Sequence, residues 1–272
     1  MTEFTFPTGA KSAAGVKVIL TSGSGINAGK FISEEEAAAL RAAVRKQKFD
    51  GKAGTFAEIF NGKTRIVAAG TGARPNALDL QILGGKLYKK ISGEETAAVF
   101  IPADKKNPLS AGETAAGIAL GIELGGYRFD KYFTKKPADS YPKLEKVEFL
   151  SETQIDDKEF AANRALANAV RYARDLCNEP ANNLTPEIYA ADIKRLDYLG
   201  IDVTVLDEAK LHDLGMDMLL SVAQGSVNSP RVAVLQWKGR KDAKEFDLGL
   251  VGKGVTFDSG GISLKPAANM GD

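Results

Sequence analysis

The chain has 272 residues, 44% of them hydrophobic, so it is long enough to bury a core and is expected to form two domains. Its 36 basic residues nearly cancel its 35 acidic ones, which argues against the large positive field that nucleic-acid binding exploits. One cysteine, Cys177, and one histidine, His212, argue against a disulfide-stapled secreted scaffold and against a His-rich zinc site.

The amino-terminal sequence has no basic start followed by an apolar stretch, and no apolar run approaches the length needed to cross a bilayer. We therefore expect a cytoplasmic protein without a membrane partner. Cys177 is expected to pack and not to act as a nucleophile, because no histidine lies near it in sequence. Hydrolytic chemistry would then depend on carboxylates, lysines and metal ions.

Short β-rich runs alternate with helical patterns over residues 1–155, which predicts an α/β domain with a mostly parallel sheet. Ser33 followed by three glutamates is typical of a helix start, since the hydroxyl caps free N–H groups and the acids face the positive end of the helix dipole. Strands are predicted at residues 16–20, 64–69, 97–102 and 147–150, and helices at residues 33–48, 77–91 and 111–124.

Apolar and alanine positions recur at helical spacing over residues 156–178, which predicts a long helix. We interpret this helix as a linker to a second α/β region, residues 179–272. In that region a helix is predicted at residues 186–199 and strands at residues 202–206, 231–237 and 247–252. The last strand is apolar on both faces, as a buried central parallel strand would be.

The segment most informative about function follows this last strand, where a glycine-rich loop carries two lysines and an aspartate. Open α/β sheets place their sites beyond the carboxyl ends of the strands. Lys253 has apolar sequence neighbours, and burial would favour a neutral amine able to bind a metal, while Asp258 would offer carboxylate oxygens to the same ion. The spacing between Lys253 and Asp258, taken alone, is more typical of two structural residues than of a metal site. These would be a lysine at a strand end whose ammonium reaches solvent and an aspartate that caps a turn.

The sequence VGKGVTFDSGGISLKP, residues 251–266, closely resembles the signature region of the leucyl aminopeptidase family, also called cytosolic aminopeptidases. The resemblance extends to residues 125–132, 173–186, 214–226 and 230–237, and so covers most of residues 65–272. It implies a macro-domain-like N-terminal α/β domain, a linker helix and a C-terminal α/β peptidase domain built on a mixed sheet. It also implies a homo-hexameric parent protein that acts on peptides with a free N-terminus.

Carried onto this sequence, the resemblance implies that Lys253 binds one of two divalent metal ions and that Asp258 bridges both. Lys265 would polarise the scissile carbonyl or stabilise the intermediate. Zinc and manganese are the leading expectations for the ions, and magnesium and cobalt are also compatible with such donors. The implied reaction is metal-dependent release of N-terminal residues from peptides, with leucine preferred.

The family's remaining ligands, which are carboxylates, and an active-site arginine lie downstream of the segment present here. The chain ends at Asp272, before them, so we expect a truncated catalytic domain with an incomplete site and no activity from this chain alone. Asp272 falls short of the family's ligand position and is not assigned as a ligand.

Two alternatives stay open. Ser259 or Ser263 could be the nucleophile of a metal-independent amidohydrolase, with Lys265 as its base. The chain could also be a non-catalytic regulatory module whose first domain binds a partner, although its balanced charge argues against nucleic acid.

Overall fold

The computed structural model describes residues 2–270 except residues 8, 10, 105, 106, 136, 138, 139, 157, 241, 243 and 244. Asp272, singled out above, lies outside the described residues. The chain divides into two compact units, Met1–Asp175 and Leu176–Asp272. Within the described part, no helix is long and apolar enough to span a bilayer.

The first unit is built on a six-stranded sheet in the order β1-β6-β5-β2-β4-β3. Neighbouring strands are parallel except β3 and β4, which are antiparallel. This confirms the prediction of an α/β fold with a mostly parallel sheet. The strands are β1 Glu3–Thr5, β2 Val16–Thr21, β3 Phe56–Asn61, β4 Thr64–Gly70, β5 Thr96–Ile101 and β6 Lys146–Ser151.

Four helices belong wholly or mostly to this unit: α1 Glu34–Lys46, α2 Ala77–Ile91, α3 Ala111–Gly125 and α4 Lys158–Asn178. The first three begin with a reciprocal capping box, in which the cap side chain accepts from a first-turn N–H and the third residue's carboxylate accepts from the N–H of the cap. The pairs are Ser33–Glu36, Asn76–Asp79 and Ser110–Glu113. Because these signals are local, the predicted helix bounds agree closely with the observed ones.

The helices cover both faces of the sheet, because successive side chains of a strand point to opposite faces. On β2, Val16 and Val18 join the core formed with α2 and α3, whereas Ile19 joins the core formed with α1. All three side chains are fully buried. The central strand therefore lies between two apolar layers.

The second unit contains α5 Pro186–Lys194, a 3₁₀ helix at Arg195–Leu199, α6 Glu208–Asp213 and α7 Asp217–Ala223. Its described sheet has two antiparallel strands, β7 Asp202–Leu206 and β8 Val232–Gln236. Cys177, which was expected to pack, is exposed.

The prediction of a buried central strand at residues 247–252 is wrong. No described strand pairs with this segment, and Leu250 and Val251 are 87% and 103% exposed. A strand is stabilised by backbone hydrogen bonds to a neighbour and by side chains packed on its faces, and apolar composition supplies neither. The division into a domain of residues 1–155, a linker of residues 156–178 and a domain of residues 179–272 stays a prediction.

Candidate functional site

The signature segment lies in the second unit as an irregular loop that ends in a 3₁₀ turn at Ala267–Asn269. Lys253 and Asp258 are exposed, and Lys265 is half-buried. The apolar surroundings predicted for the Lys253 ammonium are not found, because its neighbours Val251 and Val255 are themselves 103% and 54% exposed. The predicted burial of Lys253 is therefore not found.

The loop from Asp258 to Lys265 is closed by two hydrogen bonds. The Gly260 N–H donates to Asp258 Oδ1 at 2.9 Å, and the Lys265 N–H donates to the Ser259 carbonyl oxygen at 2.9 Å. The first bond orients the carboxylate, and the second returns the backbone of Lys265 to the residue that follows the aspartate. The structure thus joins two of the three predicted site residues in one short closed loop.

Tyr189 is a supporting residue that the sequence reasoning missed. A Cβ built on Gly254 would lie 3.1 Å from Tyr189 Cε1, so the tyrosine ring of α5 packs closely on the backbone beside Lys253. The two residues are far apart in sequence, and the sequence holds no local signal that pairs them.

The donor types of Lys253 and Asp258 suit a divalent ion, since amine nitrogen and carboxylate oxygen both bind zinc and manganese. Their number is small, because catalytic zinc sites usually have three protein ligands. Among the described residues, no group of three or more His, Cys, Asp or Glu side chains is arranged to hold a metal. The two donors are therefore fewer than such a site usually has.

A cavity of about 250 Å³ lies in the first unit, where β5 and β6 end. Asp104, Asn107, Ser151 and Thr153 are among the residues that line it. Asp104 Oδ2 accepts from the Ser22 hydroxyl at 2.7 Å, and the Ser151 and Thr153 hydroxyl oxygens lie 3.2 Å apart. These polar groups connect the loops at the carboxyl edge of the sheet.

Sequence comparison matches both units to one family. The profile described as "Cytosol aminopeptidase family, N-terminal domain" matches residues 18–136, and that of the catalytic domain matches residues 171–272. The chain is 46% identical over 215 residues to a probable cytosol aminopeptidase of Rhizobium rhizogenes, covering 76% of this chain and 43% of that protein. The chain is also 39% identical over an alignment of 282 residues to a probable cytosol aminopeptidase of Sinorhizobium medicae, covering 99% of this chain and 56% of that protein.

Structural comparison finds solved structures with a similar fold. The bottromycin maturation enzyme BotP in complex with Mn is 29% identical with a TM-score of 0.73, covering 94% of this chain and 51% of that one. A mutant of tomato leucine aminopeptidase shares the fold at 19% identity with a TM-score of 0.70, covering 86% and 50%.

The chain spans about half the length of the curated relatives it matches, from 43% to 56% in the two named above. The matched regions include the signature loop and most of both units. On these matches, the chain belongs to the cytosol aminopeptidase family.

Proposed function

We propose that this chain forms part of a metal-dependent aminopeptidase that releases N-terminal residues from peptides, with leucine preferred. The observation that carries the proposal is the closed loop in which Asp258 is oriented by the Gly260 N–H and Lys265 is tied to Ser259. Membership of the cytosol aminopeptidase family supports the reaction class.

In this proposal Lys253 and Asp258 hold the divalent ions, with Asp258 between them. Two ions, when bound, supply Lewis-acid activation for peptide hydrolysis. Lys265 contributes a cationic group close to the carbonyl oxygen, where it stabilises the negative charge that develops during hydrolysis. The substrate is a peptide with a free amino terminus.

Zinc and manganese are the ions we favour, and magnesium and cobalt are also compatible with these donors. The manganese complex of BotP supports manganese in particular. We also propose that the protein assembles as a homo-hexamer in the cytoplasm. Sedimentation analysis of the purified protein tests this assembly.

The metal role is tested by titrating the chain with Mn²⁺ and following the ion by electron paramagnetic resonance. Asp258→Asn keeps the shape of the side chain and removes its charge, so we expect the Mn²⁺ affinity to fall about tenfold or more, equivalent to about 1.4 kcal/mol. Lys253→Ala should also lower the bound metal while leaving the far-UV circular dichroism unchanged.

Asp247→Asn is the matched control, because Asp247 is another exposed aspartate of the second unit and its carboxylate pairs with Arg240 at 2.7 Å. It should leave the Mn²⁺ affinity unchanged. Unchanged affinity in Asp258→Asn as well would rule out the ligand role of this residue.

Hydrolysis of a leucyl substrate separates the proposal from the amidohydrolase alternative. With two protein donors, this chain alone is expected to bind metal weakly and to show no measurable turnover. In a longer protein that also carries the family's remaining ligands, activity abolished by a chelator and restored by divalent ions would support the peptidase. Chelator-resistant activity that disappears in Ser259→Ala would support the serine–lysine mechanism instead.

A further inference from the structure

The loop between Asp258 and Lys265 contains two successive glycines with positive φ, but they differ in their surroundings. Gly260 has φ +102°, and a Cβ built on it would lie 2.3 Å from the Ser263 carbonyl oxygen and 3.0 Å from the Lys265 nitrogen. Gly261 has φ +89°, and no atom of the described part of the chain lies within 4 Å of a Cβ built on it. Both positions disfavour a side chain through their backbone conformation, but only Gly260 also lies against the facing backbone.

The close approach at Gly260 connects the two hydrogen bonds of the loop. Its own N–H donates to Asp258 Oδ1, and the backbone that a Cβ would strike carries the Lys265 N–H, which donates to Ser259. A side chain at position 260 would have to displace the segment from Ser263 to Lys265, because backbone atoms cannot turn aside as a flexible side chain does. The position of Lys265 relative to Asp258 therefore depends on the absence of a side chain at residue 260.

We propose that Gly260 is a positioning residue, which keeps Lys265 beside Asp258, so that the metal held by Asp258 and the carbonyl oxygen stabilised by Lys265 belong to one site. This inference rests on the proposed function, because the metal role of Asp258 and the carbonyl role of Lys265 give the closed loop its purpose. Gly260 has no side chain to touch a substrate and acts through these two residues.

The test uses the whole 272-residue chain, labelled for nuclear magnetic resonance, as wild type, Gly260→Ala and Gly261→Ala. The first readout is hydrogen exchange of the Lys265 amide, which reports its bond to Ser259 without metal. The second is the broadening of Asp258 and Lys265 signals by added Mn²⁺, which reports whether both residues lie near one ion. Unchanged amide shifts of β7 and β8 show that the unit remains folded.

We expect Gly260→Ala to lose the protection of the Lys265 amide and the Mn²⁺ broadening at Lys265, while broadening at Asp258 persists. Gly261→Ala should keep all of these signals. Gly260→Asn separates the steric cause from the backbone cause, since asparagine tolerates positive φ better than alanine but carries the same Cβ. It should behave like Gly260→Ala.

Equal behaviour of Gly260→Ala and Gly261→Ala, or wild-type signals in Gly260→Asn, would overturn the positioning role and leave the proposed function intact. Absence of Mn²⁺ broadening anywhere in the wild-type loop would instead contradict the metal role of Asp258, and with it the shared site. Unfolding of the second unit in Gly260→Ala, seen as loss of the β7 and β8 amide shifts, would also contradict a positioning role that is confined to the loop.

Discussion

Glu123 on α3 is a carboxylate inside the first unit, with only 2% of its surface exposed. Among the described residues its Oε1 atom has no hydrogen-bond partner, and Arg164 Nε lies 4.0 Å away. Arg171 donates to the Glu123 backbone oxygen at 3.0 Å. Burial raises the pKa of the Glu123 carboxyl above its usual 4.5, outweighing the attraction of the two arginines.

A raised pKa means that the folded protein holds the Glu123 proton more tightly than the unfolded chain does. The stability that this proton contributes is complete below pH 4.5 and is lost as the pH rises through the folded-state pKa. The side chain of Glu123→Gln cannot ionise. We therefore expect the free energy of unfolding of this variant to fall less than that of the wild type between pH 4 and pH 8. Urea unfolding across that range, followed by far-UV circular dichroism, measures it.

Glu113 on the same helix serves as the control of opposite sign. Hydrogen bonds with Ser110 lower the pKa of its carboxyl, so its contribution is present above the usual 4.5 and is lost as the pH falls through the folded-state pKa. Glu113→Gln should therefore have a lower free energy of unfolding than the wild type at neutral pH and the same free energy of unfolding in acid. Parallel pH profiles for wild type and Glu123→Gln would contradict our account of the buried carboxyl.

At the scale of elements, α2 and α3 approach each other closely because glycines line their contact. A Cβ on Gly84 would lie 2.2 Å from the Ile118 carbonyl oxygen, and one on Gly121 would lie 2.0 Å from that of Gln81. The neighbouring Gly85 has more space, since its Cβ would lie 3.6 Å from the Gly121 oxygen. Adjacent positions of one helix thus differ sharply in what they tolerate.

We expect Gly84→Ala to destabilise the first unit by about 3 kcal/mol, near the upper end of typical overpacking costs. Gly85→Ala should be neutral or stabilise it by roughly 0.5 kcal/mol, because alanine loses less backbone entropy than glycine in a helix. Urea midpoints of the two variants give the comparison. Equal destabilisation by both would show that helix conformation, and not the contact with α3, determines the cost.

At the scale of the whole molecule, the two units differ in how much apolar surface they bury. The first holds two clusters of buried side chains, one on each face of its sheet. In the described part of the second unit, the buried hydrophobic residues are Ala190, Val203 and Leu211. Many large apolar side chains there are exposed, including Leu250 at 87% and Ile262 at 109%.

We therefore expect limited proteolysis of the purified chain to cut beyond Asn178 first and to leave a resistant fragment of the first unit. The stability of a domain comes mainly from buried apolar surface, at about 25 cal/mol per Å², and the second unit buries little of it. Mass spectrometry of the fragments over time locates the cuts. Equal resistance of both halves in a monomeric sample would contradict this expectation, whereas protection by a second chain would show what covers the exposed side chains.

Features that depend on neighbours within a few residues were predictable from the amino-acid pattern. Capping residues such as Ser33 and Asn76 marked helix starts, helical periodicity marked α4, and β-rich runs marked most strands. The signature from Val251 to Pro266 also identified the family, because a chemical motif is a local pattern.

Features that depend on residues distant along the chain could be seen only in the folded molecule. The order of the strands, the short edge strand β1, the burial of Glu123 and the contact of Tyr189 with Gly254 all arise from such partners. The same reason explains the three wrong predictions, which are the strand at residues 247–252, the buried Lys253 and the packed Cys177. Apolar composition favours burial, but a strand forms and a side chain is buried only where another part of the fold packs against it.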